Sequence, residues 1–137
     1  MKTIKPHARL TIADSIGKEG IADVVNQFYD AIQIHPTLST PFSKVANWEE
    51  HKERITEFWW AALGGRPVAS HSYDPVGKHL ARGFSAVLLS DWQDLFLKVL
   101  YEQLSKSLAD AWYQRVEMIG SNFVRQNDRL IMHVSSQ

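Results

Sequence analysis

The chain has 137 residues, with 15 basic and 15 acidic side chains and no cysteine. That length fits one domain around a single core, and zero formal net charge speaks against nucleic acid or an anionic membrane surface as the main partner. Without cysteine there is no disulfide framework, no thiolate metal site and no cysteine nucleophile.

The opening M-K-T-I-K-P-H-A-R-L lacks the apolar run of a signal peptide. No stretch approaches the length of a membrane span, so a cytoplasmic protein is expected. Residues 1–14 carry an early Pro6 and predict an N-terminal arm. Ser15 is the expected cap of a first helix, firm by Ile21. Ile21, Val24, Val25, Phe28 and Ile32 recur at spacings of three and four, which predicts an amphipathic helix to about His35, stopped by Pro36. Tyr29 shares its buried side, where a tyrosine at the core edge keeps its hydroxyl in reach of water as readily as it serves a site.

P-T-L-S-T-P-F, Pro36 to Phe42, predicts a compact turn anchored by Phe42. Asn47 caps the next helix, with Glu49 and Glu50 in its first turn. Trp48, His51, Ile55, Phe58, Trp59 and Ala62 form its inward stripe, and Gly64-Gly65 ends it. His51 is thus on the apolar face, flanked by Lys52 and Arg54, which taken alone read as solvated charges.

Tyr73 to Gly83 reads Y-D-P-V-G-K-H-L-A-R-G. Asp74-Pro75 is a helix start and Gly83 a stop. A helix of about two turns is too short to stand alone. Val76, His79 and Leu80 share one face, which puts an imidazole inside a small apolar patch. A core histidine with one hydrogen bond explains that pattern. So does a ligand to a large apolar cofactor that fixes the helix on binding.

Phe84 to Ser90 is the expected connection to a helix starting near Ser90-Asp91, with Trp92, Leu95, Phe96, Val99, Leu100 and Leu104 inward. Ser107-x-x-Asp110 resembles a capping box. It would open a last helix with Ala109, Trp112, Val116, Ile119 and Phe123 inward. Residues 128–137 are the expected C-terminal tail. Only Leu130 to Val134 hints at period-two alternation, so the fold class is all-α.

Tyr29, His51 and His79 stand out as polar groups on apolar faces, and buried polar groups need partners. There is no H-x-x-x-H pair for a zinc protease, no serine in a nucleophile elbow and no glycine-rich loop before a helix. Haem uses these three together, with one histidine on iron and a tyrosine and a histidine over the opposite face. Two other readings remain open: an all-helical sensor or interaction module without haem, and a small helical enzyme with Tyr29 and His51 as acid and base.

Five motifs occur in order. They are F-Y-D at 28–30 with L-S-T-P-F at 38–42, W-E-E-H-K at 48–52, F-W at 58–59, Y-x-x-x-x-K-H-L at 73–80, and Q-R-V-E-M-I-G-S-N-F at 114–123. Together they resemble the truncated haemoglobin family, most closely group III, over about residues 15 to 125. The resemblance implies one globin domain spanning 1–137, two helices stacked on two others, with haem b between them. It implies His79 as the proximal iron ligand, and Tyr29 and His51 as the distal pair that stabilises a bound gas. Phe28, Phe42, Lys52, Ile55, Phe58, Trp59 and Phe96 would line the pocket. The family's distal tryptophan falls on Phe96 in a gapped match, with Trp92 one turn earlier. Lys52, Arg54, Lys78 and Arg82 are candidates for the haem propionates. The implied ligands are dioxygen, nitric oxide and carbon monoxide. The implied protein partner is a reductase, and the chain is expected as a monomer or weak dimer.

Overall fold

The computed structural model describes residues 10–66 and 85–135, with side chains to residue 121. Every regular element among them is helical: α1 Ile12–Ile16, α2 Lys18–Gln33, α3 Trp48–Ala62, α4 Ala86–Gln103 and α5 Lys106–Ser135. Helix α2 packs on α3 and on α4, α4 packs on α5, and α1 closes one end against α2, α3 and α5. This is the expected all-α fold, a pair of helices laid over a second pair.

Helix α2 buries Ile21, Val24, Val25, Phe28, Tyr29 and Ile32, the stripe read from its spacing. Full burial of one such apolar side chain contributes about 1.5–3 kcal/mol. An exposed ion pair contributes about 0–1 kcal/mol, so the apolar stripe supplies most of the energy that packs the helix. Across the molecule the core also takes Leu38, Phe42, Ile55, Trp59, Trp92, Phe96, Trp112 and Val116.

Helix boundaries differ from expectation at four places. Ile12–Ile16 forms its own short helix inside the stretch read as an arm. Thr11 caps it rather than Ser15, its Oγ1 accepting from Asp14 N at 3.0 Å while Asp14 answers as a capping box. Gly17, with φ 83°, then breaks the chain direction before α2 begins. Helix α4 starts at Ala86 instead of near Ser90, because Ser85 Oγ accepts from Leu88 N at 3.2 Å. Helix α5 starts at Lys106 ahead of Ser107; Ser105 serves as the cap, its Oγ accepting from Leu108 N at 3.4 Å. Asp110 turns instead to Lys106 Nζ at 2.7 Å and to the Tyr101 hydroxyl. Finally, α5 runs to Ser135, through the segment read as a tail. Neither glycine nor proline follows Gly120, so nothing in the sequence breaks the helix there.

Two local devices position the aromatic side chains between α2 and α3. His35 Nδ1 accepts from Thr37 N at 3.2 Å and Leu38 N at 3.3 Å, which winds the turn after α2 and carries Phe42 into the core. Asn47 Oδ1 accepts from Glu50 N at 3.1 Å and starts α3 as expected. Leu63 and Gly64 end that helix, Gly64 with φ 97°, and Leu63 O accepts from Ala13 N at 3.0 Å.

Candidate functional site

The residues singled out on α2, α3 and the intervening turn come together. Tyr29 is 2% exposed. Its ring lies 5.1 Å from the His51 imidazole, nearly perpendicular to it. Phe42 from the turn and Trp48 from the start of α3 each stand 5.9 Å from Tyr29, and Phe28 stands 5.0 Å from it. Trp48 also meets His51 edge-on at 5.5 Å. His51 is half-buried, and its Nε2 is shielded from solvent. A phenol and an imidazole therefore lie side by side within a wall of aromatic rings.

The wall continues into the core. Phe96 on α4 packs on Phe28 at 4.4 Å, Trp59 at 5.4 Å and Trp112 at 5.7 Å. Trp92, one turn earlier, meets Phe28 at 6.0 Å and Phe96 at 5.5 Å. Ile55 and Trp59 are buried on α3, while Phe58 is half-buried and packs on Trp59 at 5.1 Å. Phe28, Tyr29, Phe42, His51, Ile55, Phe58, Trp59 and Phe96 thus belong to one contiguous region. His79, Lys78 and Arg82 lie outside the described residues.

The basic residues beside His51 are engaged elsewhere. Lys52 Nζ donates to Asn26 Oδ1 at 2.6 Å and to Asp30 Oδ1 at 2.7 Å, both on α2. Arg54 is exposed and pairs with Glu50 one turn back on its own helix. The charges of Lys52 and Arg54 are thus spent within the α2–α3 pair and along α3 itself.

Trp112 carries a feature that helical spacing does not convey. Its place on the inward stripe of α5 marks it as plain core, and it is fully buried. Its indole N–H, however, has no hydrogen-bond partner among the described residues. A tryptophan on an inward stripe always raises the question of where its N–H goes, and that is the signal available from sequence. Among the described residues no group of three or more histidine, aspartate or glutamate side chains could hold a metal ion by itself. None of the described helices is long and apolar enough to cross a membrane.

No family model matches the chain. It is 28% identical over 116 residues to the group 3 truncated hemoglobin ctb of Campylobacter jejuni, across 80% of this chain and 90% of that protein. A crystal structure of a group III truncated hemoglobin from Campylobacter jejuni superposes with a TM-score of 0.73 at 27% identity, covering 81% of this chain and 91% of that one. By sequence and by fold, the chain is similar to group III truncated haemoglobins.

Proposed function

We propose that this chain binds haem b and, through it, takes up oxygen and other diatomic gases reversibly beside Tyr29 and His51. The observation that carries the reading is the burial of a phenol against an imidazole inside an aromatic wall. The donor set fits the group. Apolar and aromatic faces suit a large flat macrocycle, and two adjacent polar side chains suit a small polar guest. His79, outside the described residues, is the proposed iron ligand, on its place in the capped Y-D-P-V-G-K-H-L stretch and on the family resemblance. Haem, when bound, supplies an iron that holds diatomic gases and changes oxidation state.

The chain's own contribution is polar discrimination. The Tyr29 hydroxyl donates to a diatomic guest carrying partial negative charge, a bond of about 1.5–3 kcal/mol. The His51 ring N–H is the second donor, or swings as a gate. Phe28, Phe42, Ile55, Phe58, Trp59 and Phe96 exclude water from that donor pair, which strengthens each polar contact. Lys52 lines the rim through its aliphatic stem. Its ammonium is held by Asn26 and Asp30. Propionate binding therefore falls to Lys78 or Arg82 ahead of Lys52 and Arg54. Nitric oxide dioxygenase or peroxidase-like turnover would extend this chemistry, given a reductase partner. The working form is a monomer or weak dimer.

An absorption spectrum tests the reading. Protein expressed with a haem precursor should show a Soret band that shifts on adding carbon monoxide to the reduced form. A colourless protein that also fails to take up added haem would contradict it and leave a haem-free globin module.

A further inference from the structure

We propose that Lys52 is a positioning residue that sets the separation of Tyr29 and His51. Each partner in the clamp is next in sequence to a member of the donor pair, or one turn from it. Lys52 follows His51 on α3; Asp30 follows Tyr29 on α2, and Asn26 lies one turn before Asp30. One ammonium reaches both acceptors, at 2.6 and 2.7 Å. Two acceptors four residues apart lie one above the other on a helix face. A single cation held by both fixes α3 along the axis of α2, not only against it.

The burial pattern supports a positioning role over a stabilising one. The Lys52 side chain is 18% exposed and Asp30 62% exposed, so the pair is partly screened and exposed pairs contribute little to stability. A second tie, Lys18 with Glu57, holds the opposite end of the same two helices. The α2–α3 pair is therefore pinned twice, and the Lys52 pin is the one beside the Tyr29 and His51 rings. Within α3, Thr56 Oγ1 donates to Lys52 O at 2.8 Å, which anchors the backbone that carries the lysine. The inference rests on Tyr29 and His51 acting as the donor pair of the proposed function.

The test is the nuclear Overhauser contact between the Tyr29 and His51 rings in the protein as purified, in its carbon monoxide form where haem is bound. Three variants are compared with wild type: Lys52→Met, which keeps the stem without the charge; the Asn26→Ala, Asp30→Ala double variant; and Lys52→Arg. Alanine is the best helix former, so the double variant removes acceptors without weakening α2. A displacement of about 1 Å is enough to matter at a reactive site, and by the inverse sixth power it would weaken the contact about threefold. The expected result is a drop of about that size or more in Lys52→Met and in the double variant, with wild-type intensity in Lys52→Arg. A smaller drop in either of the first two, or an equal drop in Lys52→Arg, would overturn the proposal. The carbon monoxide stretching band, which senses nearby donors, should move in the same variants. The ring contact is read whether or not haem binds, so its result stands apart from the spectrum that tests haem binding.

Discussion

Replacing Tyr29 by phenylalanine isolates one hydroxyl. The tyrosine ring packs on Phe28, Phe42, Trp48 and His51 with centroids 5.0 to 5.9 Å apart. Phenylalanine keeps all four of those contacts, each worth about 0.5–1.5 kcal/mol beyond burial. The folded protein should thus lose no more than one ordinary hydrogen bond, about 0.5–1.5 kcal/mol. A bound oxygen that loses the hydroxyl donor loses about 1.5–3 kcal/mol instead. At 1.4 kcal/mol per decade, oxygen release should speed about ten- to a hundred-fold. Association should change little, because the bond forms only once the gas is in place. Carbon monoxide, a poorer acceptor, should respond less. Stopped-flow replacement of oxygen by carbon monoxide gives the rate, and a denaturant melt gives the stability. Unchanged oxygen release in a stably folded Tyr29→Phe protein would refute the reasoning and put the hydroxyl out of reach of the guest. Tyr29→Ala would not serve, since the cavity alone costs about 3–5 kcal/mol.

Further outcomes are expected elsewhere in the molecule. Trp92→Phe should leave oxygen release near wild type if Phe96 occupies the distal tryptophan position. Release speeded about tenfold or more by the loss of the indole N–H would shift the register by a turn and make Trp92 the donor. Phe96→Trp should slow release but melt earlier. Its site is closed by Phe28, Trp59 and Trp112, and overpacking costs about 1–3 kcal/mol. Gly64→Ala should destabilise by about 1–3 kcal/mol in a denaturant melt, because φ is 97° and the new methyl would lie 3.0 Å from Thr11 Cβ. At the α4–α5 turn, hydrogen bonds from Lys106 and then Tyr101 lower the Asp110 pKa. A lowered carboxyl pKa gives stability that is present above the ordinary carboxylate range and lost as pH falls through the lowered value. The same bonds to Asp110 raise the Tyr101 and Lys106 pKa values. Their share is present below the ordinary tyrosine and lysine ranges and lost as pH rises through the raised values. Asp110→Asn should therefore flatten both the acid and the alkaline limb of a melting-temperature profile, and unchanged limbs would contradict that.

Helical spacing carried most of the fold. The stripe from Ile21 to Ile32 is buried as read, because a period of three to four leaves one choice of inward face. The Asn47 cap was legible for the same local reason. The starts of α1, α4 and α5 were not, because Thr11, Ser15, Ser85, Ser90, Ser105 and Ser107 offer the same capping chemistry. Packing decides among them, and local sequence does not contain it. Tyr29 and His51 were legible as polar residues on apolar stripes, and the structure brings their rings together. The Lys52 clamp was not legible. A lysine beside an apolar face looks like any solvated charge until α2 brings Asn26 and Asp30 to it from 26 and 22 residues away. The Trp112 N–H, which has no partner among the described residues, was hidden for a similar reason, since the ring's setting depends on its packing against Trp59 and Phe96.

The central claim is that haem is held through His79 with Tyr29 and His51 facing the gas. Haem retention in His79→Ala, set against His71→Ala as the control, tests it most directly. After gel filtration, His79→Ala should keep little haem or hold it weakly, while His71→Ala keeps its haem and its ferrous spectrum. A His79→Ala protein that retains a full complement of haem with a five-coordinate ferrous spectrum would contradict the claim.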